Sequence, residues 1–366
     1  MSALEQIGRA MPVATTLQGL SFAGPALARQ ATAVVIPALN EEARIGACLA
    51  ALARDREDLC VVVVANDCTD GTAEAARVAA ERAGLALCVV EAGFHGRGNA
   101  GVARRLGMAV VQSLLPGVQH LLTSDADCTV CPGWVANSIA HLGGADAVCG
   151  HVIPEPEEER RLPWPCVARA EAERAYTRAT LEFESLVSPD AANPWPHHGQ
   201  APGASLGFTR AAYVAAGGFA NMDCGEDREI IQRLKRAGRA VVHAADVGVV
   251  ASCRVAGRAR GGMADRIARH IAEPDSLCDE RLMPAHAHLA RAERALRGGQ
   301  TFRLISPVPR SLRLLPWQLP GERARLTAIN AALGAVPAAA RGALLTQMRS
   351  RGADLSWQAS PVQAAE

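Results

Sequence analysis

Four short apolar runs constrain this chain more than any other feature. They are residues 31–36 (ATAVVI), 60–65 (CVVVVA), 85–90 (LALCVV) and 119–124 (QHLLTS). Three are rich in β-branched residues and none alternates cleanly with polar positions, so they read as strands buried on both faces. Segments of helical pattern separate them. After Pro37-Ala38-Leu39-Asn40 the chain offers Asn40 as a helix cap, Glu41 and Glu42 at the positive helix start, and an apolar face of Ile45, Leu49 and Leu52. Thr69-Asp70-Gly71-Thr72 turns into an alanine-rich helix running to about residue 83, and a glycine-rich loop, 93–101, leads to a helix over about 102–115. This alternation predicts an α/β fold: a Rossmann-like, mainly parallel sheet with right-handed crossovers and helices on both faces.

The pattern loosens beyond residue 145. Strands are expected at 146–153, 204–209, 240–244 and 247–252, and helices at about 166–186, 210–216 and 226–237. An acidic, proline-flanked excursion (154–165) and a polar loop (188–202) with Trp195, His197 and His198 interrupt them. Residues 1–30 read as a lead-in with a short helix. The expected organisation is thus 1–30, an α/β half at 31–145, a second half of the same domain at 146–262, and a mostly helical extension at 263–366 with a disordered tail after about 350.

Composition excludes several classes. At a formal net charge of +1, no global field recruits nucleic acid or an anionic membrane. No apolar run approaches the roughly 18 to 20 residues that span a bilayer, and residues 1–30 lack the basic start and apolar core of a secretory signal. Eleven scattered cysteines argue for reduced thiols in a soluble, cytoplasmic protein rather than a disulfide framework. Cys128 and Cys131 form a CxxC with no second pair at zinc spacing.

The chemistry concentrates where the fourth run ends, at Asp125-Ala126-Asp127. Ligands of open α/β sheets gather at the carboxyl ends of strands. Two carboxylates there, separated by a small residue, suit a hard divalent cation, Mg2+ or Mn2+, that can bridge nucleotide phosphates. A turn with an aspartate helix cap is the plainer alternative. Asn40, Glu41, Asp67 and the loop around Arg97 and Gly98 follow other strands at the same expected edge.

A rival motif lies in that loop. Gly96-Arg97-Gly98-Asn99-Ala100-Gly101 matches GxGxxG between a strand and a helix, with Asp125 as a candidate ribose ligand, which would suit an NAD- or FAD-dependent oxidoreductase. The loop follows the third expected strand rather than the first, and Arg97 stands where a pyrophosphate should meet bare backbone.

The ordered set of motifs resembles the family 2 glycosyltransferases of GT-A fold. Val34 to Glu42 looks like their opening, Asn66-Asp67-Cys68-Thr69-Asp70-Gly71-Thr72 like their second motif, and Ser124-Asp125-Ala126-Asp127 like their DxD. Gly217-Gly218-Phe219, with Gly225-Glu226-Asp227-Arg228-Glu229, is similar to their acceptor-side segment. The resemblance covers roughly residues 31–255 and implies a nucleotide-diphospho-sugar donor. It places Pro37, Leu39, Asn40, Glu41 and Asp67 around base and ribose, with Arg97 and Gly98 also on the donor side. Asp125 is placed near ribose or sugar, and Asp127 on Mg2+ or Mn2+. Asp227, with Glu226 beside it, corresponds to the catalytic base that deprotonates an acceptor hydroxyl, and a direct displacement would invert the anomeric centre. Where many such enzymes add a histidine ligand, this chain has Ser252-Cys253-Arg254, so Arg254, Arg258 and Arg260 are candidates for diphosphate contact. The opening motif also resembles retaining enzymes that glycosylate phosphoglycerate, which leaves stereochemistry open. A non-catalytic nucleotide-sugar-binding protein is a further reading, opposed by the retention of both Asp127 and Asp227. Neither the acceptor nor the donor base is legible.

Overall fold

The computed structural model describes residues 7–8, 11–25, 30–55, 59–95, 98–258, 261–304 and 307–350. The tail after residue 350, together with Gly96, Arg97 and Arg260, lies outside the described residues. The chain divides into two compact units, 1–161 with 198–268, and 162–197 with 269–366.

The first unit is built on a nine-stranded sheet in the order β1-β4-β3-β2-β5-β8-β7-β9-β6. Its centre is parallel, with β2 (Thr32–Ala38) between β3 (Leu59–Asn66) and β5 (His120–Thr123), and β4 (Ala86–His95) beyond β3. The remaining strands are β1 (Ala14–Ala23), β6 (Cys128–Val130), β7 (Ala147–Pro154), β8 (Leu206–Thr209) and β9 (Val241–Ala251). β8 runs antiparallel between β5 and β7.

Side chains alternate along β2 and β3 into two separate cores. Ala33, Val35, Val62 and Val64 join one, with Val102, Leu106 and Ile230; Val34, Ile36, Val61 and Val63 join the other, with Ile45, Leu49 and Trp134. Helices therefore cover both faces. α1 (Glu42–Asp55), α2 (Thr72–Ala83) and α4 (Trp134–Leu142) lie on one side; α3 (Ala100–Leu114), α7 (Arg210–Ala215) and α8 (Glu226–Arg236) lie on the other. The short α5 (Pro156–Glu159) completes the helices of this unit up to the long α6 (Trp164–Val187) that opens the other. Gly107 sets the height of α3 above the sheet: a Cβ there would stand 2.4 Å from Val35 Cγ1 and 3.0 Å from Val64 Cγ2.

Several expectations need correction. Residues 14–23, read as part of a lead-in, form β1, antiparallel to β4. The two short strands expected at 240–252 are one strand, β9, parallel to β7 with a register shift between Cys149 and His151. The exposed pair Ala245-Asp246 marks that irregularity and mimics a loop in the sequence. β6 and α4 were not anticipated; α4 takes its N-terminal partner from a distant residue, since Val135 N donates to Asp55 Oδ2 at 2.6 Å.

The second unit does not begin at residue 263. Residues 162–197 belong with it, because α6 packs its Tyr176, Ala179 and Phe183 against Leu326, Ile329 and Leu333 of α11 (Leu319–Gly334). α9 (Met263–Ala272) leads into the unit, and α10 (Ala285–Arg297) and α12 (Ala338–Ser350) complete it. Arg169 ties its segments together by donating to the carbonyls of Pro274, Ser276 and Leu277. Tyr176 Oη donates to Met283 O at 2.6 Å. No described helix is long and apolar enough to cross a membrane.

Candidate active site

The site grows from the carboxyl ends of β2, β3 and β5. Asn40 (φ 55°), two residues beyond β2, and Asp67 (φ 50°), immediately after β3, are the described non-glycine residues in the left-handed region. Asn and Asp tolerate that conformation because their side chains hydrogen-bond locally. Here Asn40 Oδ1 accepts from Thr69 N at 2.8 Å and Asp67 Oδ1 from Phe94 N at 3.0 Å, so each turn locks its neighbour. Such strained residues concentrate at binding edges. Glu41 is buried next to them and its N–H donates to Thr72 Oγ1 at 2.8 Å.

Asp125 and Asp127 follow β5, and with Cys128 their ligand atoms lie within 4.8 Å of one another. Asp125 Oδ1 accepts from Arg104 Nη2 at 2.5 Å. Asp127 Oδ2 stands 3.1 Å from Arg254 Nη2, and Arg254 also grips both oxygens of Glu41. Burial, then the neighbouring charges of Asp125 and Glu41, push the Asp127 carboxyl up to about 6 against the pull of Arg254 and Arg44. Burial pushes the Cys128 thiol well above its ordinary range, so it is held as a thiol beside the carboxylates.

The third part is the start of α8. Arg104 Nη1 donates to Glu226 Oε1, which makes Arg104 a bridge between Asp125 and Glu226. Burial works against the Arg104 charge, but the flanking Asp125 and Glu226 hold it protonated and raise its pKa. Asp227 presents both oxygens to backbone donors: Oδ2 accepts from Gly203 N at 2.9 Å and Oδ1 from Arg228 N at 2.7 Å.

The donor set fits a divalent cation. Five carboxylates (Glu41, Asp125, Asp127, Glu226, Asp227) are linked or adjacent here and face two guanidinium groups, Arg104 and Arg254. Partly buried negative charge in excess is costly unless a cation compensates it. The accessible ligand atoms are hard carboxylate oxygens, as Mg2+ and Mn2+ prefer, and a buried protonated thiol adds little for them.

Residues 33–191 match the family model for glycosyl transferase family 2. The family match is confined to that segment, somewhat under half of the chain. The mixed sheet has parallel central strands, and Asp125-Ala126-Asp127 follows one of them, β5, as the sequence led one to expect. No curated protein matches the chain in sequence. Among solved structures it is similar to the mannosyltransferase PcManGT from Pyrobaculum calidifontis in complex with GDP-Man and Mn2+, at 22% identity over 95% of this chain and 86% of that one, TM-score 0.44. It is also similar to glucosyl-3-phosphoglycerate synthase from Mycobacterium tuberculosis in complex with Mn2+, UDP and phosphoglyceric acid, at 19% identity over 69% and 81%, TM-score 0.40. A third is S. aureus TarS 1–349, at 16% identity over 88% and 91%, TM-score 0.40.

The fold brings Pro37, Leu39, Asn40, Glu41, Asp67, Asp125, Asp127 and Arg254 to one edge through the ends of β2, β3 and β5 and the β9 exit. Three residues differ from expectation. Asn40 ties its loop to Thr69 rather than capping α1. Glu226, expected beside the base as a catalytic residue, is buried and paired with Arg104, and so is not presented to a substrate. Arg254 faces Asp127 and Glu41. Arg258 Nε donates to Asn40 O at 3.3 Å.

Two glycines of the GxGxxG have packing reasons of their own. A Cβ on Gly98 would meet Phe94 Cδ2 at 2.7 Å, and one on Gly101 would meet Glu226 Cγ at 2.5 Å. Asn99 caps α3 by accepting from Val102 N at 2.9 Å. Sequence reasoning missed Arg104. Its signal was Gly107, one turn on, which marks the helix face pressed to the sheet.

Proposed function

We propose that this glycosyltransferase takes its sugar from a nucleoside-diphospho-sugar and transfers it to a hydroxyl acceptor, with Mg2+ or Mn2+ held by Asp127 and Asp125. The observation that carries the reading is the excess of carboxylates at the end of β5, next to the strained turns at Asn40 and Asp67. When bound, the metal supplies Lewis-acid stabilisation of the leaving diphosphate. Pro37, Leu39, Asn40, Glu41 and Asp67 form the base and ribose side, Gly98 and Arg97 its loop, and Asp125 the ribose or sugar contact. Arg254 orients Asp127 while facing the diphosphate end.

Asp227 is the general base in this reading. Its two backbone N–H donors fix the direction of the carboxylate, and abstraction of an acceptor proton requires a base held in place. Attack by that acceptor on the anomeric carbon in one displacement inverts configuration. The buried Glu226 takes no part in proton transfer.

A thermal-shift panel of UDP, GDP, dTDP, NAD+ and FAD, each with and without Mn2+, tests this without an acceptor. Ligands that bind only the native state raise its melting temperature by mass action. Stabilisation by one nucleoside diphosphate that depends on Mn2+ is expected, and it identifies the donor base. Metal-independent stabilisation by NAD+ or FAD would overturn the proposal in favour of the glycine-rich loop.

A further inference from the structure

Arg104 is buried, charged and unused by the chemistry just proposed. It lies in the second turn of α3, on the face that Gly107 brings against β2 and β3, and its side chain is 4% exposed. Its two terminal nitrogens reach different parts of the site: Nη2 holds Asp125 Oδ1 after β5, and Nη1 holds Glu226 Oε1 at the start of α8. A third segment closes over the guanidinium. A Cβ on Gly203 would lie 2.4 Å from Arg104 Cζ, so only glycine lets the backbone approach, and the Gly203 N–H is the donor to Asp227 Oδ2. The Phe219 ring, 6.0 Å from Cζ, lines another side. Residues 104, 125, 203, 219 and 226 thus meet at one planar cation.

A buried ion pair is weak evidence for stability, because apolar replacements of similar volume often serve as well. What singles out this pair is the identity of its partners. One is the first carboxylate of the DxD; the other is the immediate neighbour of the proposed base. Arginine suits the task because its rigid fork addresses two carboxylates at once, whereas lysine offers a single point charge.

We infer that Arg104 is a positioning residue that sets the separation between the donor-side Asp125 and the base Asp227, acting through Glu226 and Gly203. The inference deepens the proposed function and rests on it. Arg104 is enclosed by its partners and meets no substrate, so it acts on the reaction only through them.

The test compares wild type, Arg104→Lys, Arg104→Gln, Glu226→Gln and the Arg104→Gln/Glu226→Gln double variant as full chains. Nucleoside diphosphate release from a nucleotide sugar is measured below every melting transition, alongside hydrogen–deuterium exchange. Misplacing a reacting group by about 1 Å costs on the order of 10²-fold, so kcat of Arg104→Gln should fall by about that factor. Arg104→Lys should lie nearer to Arg104→Gln than to wild type. Glu226→Gln should lower kcat in the wild-type background and have little further effect beside Arg104→Gln, because coupled residues are non-additive. Exchange should quicken at Gly203 and Arg228 while β2 and β3 stay protected. Unchanged turnover of the folded variants, additive effects, or unchanged exchange at those amides each overturns the inference. Should Arg104→Gln fail to fold, Arg104→Lys and Glu226→Gln carry the same readouts. A wild type that neither releases nucleoside diphosphate nor responds to it with Mn2+ refutes the donor reading instead, and the exchange comparison still decides the coupling.

Discussion

Replacing Asp227 by asparagine separates the base from the binding site, and the geometry gives two magnitudes. Both carboxylate oxygens accept backbone N–H groups, from Gly203 at 2.9 Å and Arg228 at 2.7 Å. An amide has one acceptor oxygen, so in either orientation its NH2 faces one of these donors. A donor left unpaired costs about 1–3 kcal/mol. In a unit of this size that corresponds to roughly 2–4 °C of melting temperature per kcal/mol. Loss of a general base costs about 10²–10⁴-fold in rate. Asp227→Asn is therefore expected to melt somewhat earlier and to release nucleoside diphosphate from the nucleotide sugar 10²–10⁴-fold more slowly. Its Mn2+-dependent affinity for the nucleoside diphosphate should stay nearly unchanged. Binding is read by titration calorimetry and turnover by nucleoside diphosphate release, both well below the transition. Wild-type turnover in the destabilised variant would refute the role of base, and lost donor affinity would move Asp227 into the binding site.

Two further outcomes follow from the same geometry. Asp127→Ala should abolish the Mn2+-dependent part of nucleoside diphosphate stabilisation in a thermal-shift assay; a variant that keeps full metal dependence rules out Asp127 as the ligand. In the second unit, His288 is fully enclosed near Tyr176 and Phe183, and burial lowers its pKa from 6.5 to about 3. A lowered histidine favours the fold above the unfolded value of 6.5, and that contribution is lost as pH falls toward 3. Linkage gives about 2 kcal/mol lost between pH 7 and pH 5. His288→Leu should flatten the acid side of the melting profile of this unit, and an equally steep profile would remove His288 as the cause.

The sequence was most legible where burial was two-sided. β2, β3 and β4 announce themselves as apolar runs because neither face meets water, and the DxD is conspicuous because an apolar strand ends abruptly at charge. β1 was illegible for the opposite reason. Its residues alternate between exposed and half-buried positions through serine, threonine and glycine, the pattern of an edge strand whose Leu17 and Leu20 are only partly buried against the core. α4 hid because its start is stabilised by Asp55, almost eighty residues earlier, rather than by a local cap. Asp125 and Asp127 could be found from local pattern, but the pairing of Arg104 with Glu226 could not. Arg104 and Arg105 stand side by side in the helix, and only tertiary packing turns one into the interior while the other reaches the carbonyls of Gly217 and Phe219.

The placement of β1 bears on how the protein may be shortened. Along almost its whole length it occupies one open side of β4, from His95 back to Leu87. A truncation beginning at residue 31, which the weak patterning of the first thirty residues invites, would leave that row of N–H and C=O groups bare on a long apolar strand. Bare strands of this kind recruit other chains. Such a protein would keep every residue of the glycosyltransferase site and still be lost to self-association, so loss of activity on trimming the N-terminus would report aggregation before it reported chemistry.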